Sequence, residues 1–198
     1  MNVVFDIGNV LVHWEPRALY RKIFATEGEV EWFIGNVCTQ DWNLEQDLGR
    51  SFADGVKALS ARYPEHAEAI TAYDLRWHET VLGAIDGSVQ ILEELSARGT
   101  PLYAITNFNQ DKFKETLKRF PFLNVFRDTV VSGDERVIKP DPAIYRLLLQ
   151  RNGLAAVSCV FIDDSLKNVK GAEAVGMKAI HFTGPEALRV QLTGMGLL

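Results

Sequence analysis

Only two cysteines, Cys38 and Cys159, occur among the 198 residues. They lie far apart and without a Cys-x-x-Cys or Cys/His ligand spacing, so neither a disulfide framework nor a zinc site is expected. No apolar run approaches the ~20 residues of a membrane-spanning helix, and no basic segment followed by an apolar stretch opens the chain; a cytoplasmic protein with no membrane partner is expected. Positive charge is also scarce. The 21 Lys and Arg against 26 Asp and Glu leave a net charge of −5, which gives no electrostatic footprint for nucleic acid. Any phosphate must therefore be met by local arrangement rather than by overall charge. Repeats and low-complexity tracts are missing too, and a hydrophobic fraction of 47% excludes disorder. The length suits one sizeable core with a small appendage, as a monomer or homodimer.

The informative stretch is Val3-Val4-Phe5-Asp6-Ile7-Gly8-Asn9-Val10, an apolar run broken by one carboxylate and then by Gly-Asn. It reads as a short buried parallel strand that presents Asp6 at its C-terminal end, where ligands of open α/β sheets bind. Gly8 and Asn9 both tolerate positive φ, so the chain is expected to turn sharply there.

Residues 14–82 differ in character. All four tryptophans (Trp14, Trp32, Trp42 and Trp77) fall here, and no strand is evident. Phe52, Val56, Leu59 and Tyr63, then Ile70, Tyr73, Trp77 and Val81, recur at helical spacing. Gly28, Gly35, Gly49 and Pro64 are read as helix ends. Such an insert, packed partly on itself and partly over the sheet's C-terminal edge, would be a lid; the domains expected are a core of 1–13 and 83–198 and a helical cap of 14–82. Beyond it, strands and helices alternate. Asp86-Gly87-Ser88 offers an N-cap to a helix ended by Gly99, and Leu102–Ile105 is a strand running into Thr106-Asn107. A helix follows from Asn109, then a strand at Thr129–Val131, a loop at 133–136, and a helix opened by Lys139-Pro140-Asp141-Pro142. Val160–Ile162 is a buried strand ending in Asp163-Asp164, followed by a helix over 165–175 and a strand over 177–181. The alternation calls for an α/β, doubly wound parallel sheet with right-handed crossovers.

In such a sheet Asp6, Thr106, Lys139, Asp163 and Asp164 converge on one edge. The set has what phosphoryl transfer needs. The three carboxylates are hard oxygen ligands suited to Mg²⁺, and without a cation their proximity is costly. Asp6 can attack phosphorus to form an aspartyl-phosphate that water later cleaves. The Thr106 hydroxyl, the following backbone N–H groups and the Lys139 amine can hold phosphate oxygens.

The order and spacing of Phe5-Asp6-Ile7-Gly8-Asn9-Val10, Ile105-Thr106-Asn107, Lys139-Pro140 and Asp163-Asp164 resemble the four motifs of the haloacid dehalogenase superfamily, and the helical insert is similar to that family's C1-type cap. The resemblance spans essentially the whole chain, and Lys139-Pro-Asp-Pro-x-Ile-Tyr with Asp-Asp-Ser-x-x-Asn looks like the small sugar-phosphate phosphatases, with the opening Asp-x-Gly-Asn-Val closest to a glucose-1-phosphatase-like branch. It implies Asp6 as nucleophile, with Thr106 and Lys139 in catalysis and, with Asn107, in substrate binding. Mg²⁺ would be held by Asp6, by Asp164 with Asp163 nearby, and by the Gly8 carbonyl. The substrate implied is a small phosphorylated metabolite.

Position 8 departs from the pattern. Most phosphatases of that family carry a second Asp there as general acid and base, help worth roughly 10²–10⁴ in rate; here it is Gly8. His13 and Glu15 are the nearby substitutes considered. Two other readings fit the absence. In one, a 2-haloacid dehalogenase uses Asp6 on carbon; in the other, a degenerate member only binds phosphate or a partner.

Overall fold

The structure, a computed structural model, describes residues 1–198. Strand β1 (Asn2–Phe5) is followed by β2 (Val12–Trp14) and then by five helices: α1 (Arg17–Tyr20), α2 (Glu27–Asn36), α3 (Gln40–Asp47), α4 (Phe52–Arg62) and α5 (Ala67–Leu75). Strand β3 (Val81–Ala84) returns antiparallel beside β2. Then come α6 (Asp86–Ala97), β4 (Leu102–Thr106), α7 (Gln110–Arg119), β5 (Thr129–Val131) and α8 (Ser132–Glu135). The chain ends with α9 (Pro142–Arg151), β6 (Cys159–Asp163), α10 (Leu166–Ala174), β7 (Lys178–His181) and α11 (Pro185–Gly194).

Five strands form one parallel sheet in the order β5-β4-β1-β6-β7. The chain winds outward from β1 through β4 to β5, then crosses back to β6 and β7, so the winding reverses at β1, the switch point where open α/β sheets bind ligands. Strand alternation divides the interior. Val3, Phe5, Ala104 and Ile162 face a layer with Ile91, Leu92 and Leu95 of α6 and Leu188 and Leu192 of α11, whereas Val4, Ile105 and Phe161 face Ile144, Tyr145 and Leu148 of α9. Both faces of the sheet are thus covered, which is why its strands read as continuous apolar runs.

The helical segment shares the first of these cores. Tyr20 meets Phe33 at 4.6 Å, and Trp42 stands edge-on to Tyr73 at 5.2 Å. The segment is also fastened to the sheet's loops: Trp77 packs edge-on against Phe108 at 5.3 Å, Asn109 Nδ2 donates to Gln46 O at 3.2 Å, and Lys112 Nζ pairs with Asp74 Oδ1 at 2.8 Å. Ring pairs of this kind contribute about 0.5–1.5 kcal/mol each beyond the area they bury.

Several local expectations are corrected. Trp77 and Val81 do not continue α5, which stops at Leu75; Trp77–Thr80 is a 3₁₀ turn, and the Glu15 N–H donates to Thr80 O at 2.7 Å, starting the β2–β3 pairing. A helical spacing thus ran on numerically across a break, and a two-stranded ribbon was missed because neither strand exceeds four residues. Gly28 and Gly35 lie inside α2, whose start is set by a Thr26/Glu29 capping box. Asp86 is the first helical residue of α6 rather than its cap, placing its carboxylate at the positive end of the helix. Residues 133–135 belong to the short α8, and α11 was not anticipated. At the first turn only Asn9 takes positive φ, at 55°.

Candidate active site

Three strands end side by side. Asp6 follows β1, Thr106 closes β4 and Asp163 closes β6, and since β1 pairs in parallel with both β4 and β6, all three residues occupy one edge. Lys139 reaches the same edge from the β5–α9 connection. Its amine donates to Asp6 Oδ1 at 2.8 Å, Asp163 Oδ2 at 2.7 Å and Ile105 O at 3.0 Å, and the residue is 3% exposed. A buried ammonium with three oxygen acceptors is fully satisfied.

The loop that carries Lys139 is held by its neighbours. Asn107 Oδ1 accepts from the Lys139 N–H at 2.8 Å, while its Nδ2 donates to Lys139 O at 3.1 Å. Asn107, expected from the resemblance to bind substrate, thus uses its amide as a bracket for the lysine backbone. Gly171 of α10 lies against the same loop, where a Cβ would sit 2.8 Å from Pro140 O and 2.9 Å from the Tyr145 hydroxyl. Only glycine lets α10 approach this closely.

One oxygen each from Asp6, Asp163 and Asp164 lies within 4.8 Å of the others. Their environments differ. Asp163 is wholly buried, and both of its oxygens are engaged: Oδ1 by the Ser165 N–H at 2.8 Å and Asn168 Nδ2 at 3.0 Å, Oδ2 by Lys139. Asp6 Oδ1 accepts from the Ile7 N–H at 2.7 Å as well as from Lys139. Asp164 is exposed at the rim.

Burial drives the Asp6 carboxyl well above its ordinary range; Lys139 opposes the shift and Asp163 adds to it. For Lys139, burial pulls down, but Asp6 and Asp163 outweigh it and its pKa is raised. Desolvation, then Asp163, raises Asp164. Three carboxylates this close, with Asp6 and Asp164 both held above their ordinary range, fit a hard divalent cation, which would repay the cost of gathering them.

Beside this cluster is a cavity of about 70 Å³ lined by Gly8 and Asn107 and walled by Trp14, Phe52, Trp77 and Phe108. A Cβ added at Gly8 would meet nothing within 4 Å. Trp14 and Trp77 therefore border the site, whereas Trp42 is buried in the helical segment and Trp32 is half exposed on its surface. His13 is exposed on β2 and Glu15 accepts from the Arg17 N–H at 3.0 Å; neither lines the cavity. Sequence reasoning missed two residues, Asn168 and Asp47, the latter lining the cavity from the end of α3, and it did not foresee the bracketing role of Asn107. For Asn168 the signal was present, in the Asp-Asp-Ser-x-x-Asn run.

Burial raises Asp47 from the ordinary carboxyl value of 3.8 to about 7, against the opposing pull of the Asn109 N–H and Lys139. With Asp6 and Asp164 shifted the same way, the folded chain binds more protons than the unfolded chain between pH ~4 and ~7, so stability falls as pH rises through that window. Surface carboxylates held low by arginines, such as Glu27 and Glu31, act below it. A urea midpoint measured in EDTA is expected to be lower at pH 8 than at pH 5; the reverse order would contradict the burial of the Asp6 and Asp47 carboxyls.

Comparison with known proteins follows the same lines. Residues 39–182 match the family model for haloacid dehalogenase-like hydrolases. The chain is 31% identical to the sesquiterpene phosphatase astK of Aspergillus oryzae over 96% of this chain and 93% of that one. It is 27% identical to a phosphoglycolate phosphatase of Pectobacterium atrosepticum, covering 91% and 79% of the two chains. Among solved structures, a HAD family enzyme from Bacteroides thetaiotaomicron in complex with magnesium and inorganic phosphate superposes with a TM-score of 0.73 at 20% identity, over 92% of this chain and 94% of that one.

Proposed function

The chain belongs to the haloacid dehalogenase-like hydrolase family and is a phosphoric monoester hydrolase; from that premise we propose that it is a Mg²⁺-dependent phosphatase of small phosphate esters, sugar phosphates among them, acting through an aspartyl-phosphate on Asp6. The observation that carries this is the Asp6–Lys139–Asp163 chain of contacts at 2.8 and 2.7 Å, with Asp164 adjoining, at the switch point of the sheet.

Asp6 Oδ1 is held by Ile7 N–H and Lys139, which leaves Oδ2 to attack phosphorus. Lys139 offsets charge on the incoming dianion, and the Thr106 hydroxyl with the N–H groups beyond it cradles the phosphate oxygens. Asp6, Asp164 and the Gly8 carbonyl would hold Mg²⁺, while Asp163, its oxygens already engaged, keeps Lys139 aimed. When bound, Mg²⁺ supplies the positive charge that lets an anionic nucleophile meet an anionic phosphate. Residues 14–82 act as a cap that closes over the ester and keeps bulk water out.

Phosphate release from a panel of phosphorylated metabolites is the test, with activity in Mg²⁺ and none in EDTA as the expected result. Release unaffected by EDTA would end the metal-dependent reading. Metal binding is also expected to raise the melting temperature at pH 8. At a hundredfold excess over Kd the gain is about 2.7 kcal/mol, or roughly 5–10 °C for a domain of this size; scanning calorimetry with and without Mg²⁺ measures it.

A further inference from the structure

A phosphate ester of an ordinary alcohol needs a proton on its leaving oxygen, and the later attack by water needs a base. Gly8 offers neither. We propose that Asp47, delivered by the helical segment rather than by β1, is the catalytic proton donor and acceptor of this site, taking the place left open at position 8. The inference rests on the phosphatase reading.

Geometry supports it on both sides of the cavity. Gly8 and Asp47 line the same space, and the absence of any atom within 4 Å of a Cβ at position 8 leaves room for the leaving oxygen between them. Asp47 is also anchored as a working group must be. Asn43 Nδ2 donates to its Oδ2 at 3.0 Å, and Asn43 Oδ1 in turn accepts from the Tyr73 hydroxyl at 2.9 Å. From the core, Ser132 Oγ at the end of β5 donates to Asp47 O at 2.6 Å. Two residues on, Gly49 takes φ +96° with its Cβ position 2.7 Å from Gly133 O, so the turn after α3 can lie directly on the sheet's loops. These contacts fix a carboxyl from the helical segment against the sheet edge.

The charged and titratable groups near Asp47 are Lys139, Lys112, which lines the same cavity, and the Tyr73 hydroxyl, which Asn43 links to it. Burial leaves its carboxyl titrating near neutrality, where a group can both give and take a proton. In the first half-reaction an Asp6 oxygen forms its bond to phosphorus, the ester P–O bond breaks, and the Asp47 proton passes to the leaving oxygen, which departs as the alcohol. Asp47 is then a carboxylate. In the second, it takes a proton from water as the water oxygen bonds to phosphorus and the Asp6–phosphorus linkage breaks, releasing inorganic phosphate and restoring the Asp47 carboxyl.

Two esters separate this role from a structural one. 4-Nitrophenyl phosphate has a leaving group that needs no proton, whereas ethyl phosphate needs one. In Asp47→Asn, single-turnover cleavage of ethyl phosphate is expected to fall by at least about 10²-fold, with the 4-nitrophenolate burst changed less than threefold and binding of beryllium fluoride with Mg²⁺ unaltered. Gly8→Asp placed in the same variant, in the open space at position 8, should recover ethyl phosphate cleavage. In the unsubstituted protein, the ratio of ethyl to 4-nitrophenyl cleavage should decline as pH rises through neutrality. Equal losses on both esters, or no loss, or a ratio independent of pH, would overturn the role of Asp47 while leaving the phosphatase intact. A wild-type protein that cleaves neither ester would instead overturn the phosphatase reading and this inference with it.

Discussion

Asp6→Asn is expected to lower phosphate release by roughly 10⁵–10⁶-fold, the scale seen when a covalent nucleophile is removed from a preorganised site. The substitution keeps the shape and the acceptor that the Ile7 N–H and Lys139 engage at Oδ1, 2.7 and 2.8 Å away. It removes the second anionic oxygen, and with it the covalent intermediate. Folding should not suffer. A carboxylate whose ionisation burial opposes is replaced by a neutral amide, so at pH 8 in EDTA the variant is expected to be at least as stable as the wild type. Loss of activity together with loss of stability would show that Asp6 is a structural acid; loss of activity alone is the catalytic signature. Rates from a coupled phosphate assay and urea midpoints from the same preparations decide between them.

Lys139→Met is expected to fail in both respects. Its amine lies between Asp6 and Asp163, with side-chain exposures of 0% for the lysine, 10% for Asp6 and 0% for Asp163. Removing one partner of a buried ionic group strands the others, at a cost of about 3–5 kcal/mol. Activity should fall as well, by roughly 10²–10³-fold or more, because a preorganised charge facing the phosphate is gone. Adding Asp163→Asn should recover part of the stability, since one stranded carboxylate disappears, without recovering activity. A urea midpoint for Lys139→Met within experimental error of the wild type would mean that the ion pairs contribute nothing net, and the double variant would then have nothing to restore.

The sheet was legible because its strands are buried on both faces. Val3–Phe5, Leu102–Ile105 and Val160–Ile162 are apolar runs that end abruptly in polar residues, and each such end lies at the edge where the side chains meet. The β2–β3 ribbon was not legible: its strands span three and four residues, and their pairing depends on a contact between Glu15 and Thr80 that no local pattern announces. Long-range hydrogen bonding hid the work of Asn107 in the same way, because an amide that follows a strand end looks the same whether it faces a ligand or a lysine backbone 32 residues on. Asp47 was the hardest to find. In sequence it is one carboxylate among several in a polar helix, and only the folding of α3 against the loops after β4 and β5 brings it to the cavity that Gly8 also lines. The substitute for a missing group therefore came from the helical segment, although the residues nearest in sequence, His13 and Glu15, were the natural place to look.

Attack of Asp6 on phosphorus is most directly tested by quenching the protein in acid during turnover with Mg²⁺ and a reactive phosphate ester, reducing it with borohydride, and sequencing the N-terminal peptide by mass spectrometry. An acyl phosphate on Asp6 is converted to homoserine at that one position, and the conversion should be absent without Mg²⁺ and in Asp6→Asn. An N-terminal peptide that keeps an unmodified Asp6 while phosphate is being released, or a reducible phosphoryl group on any other residue, would contradict the mechanism at its root.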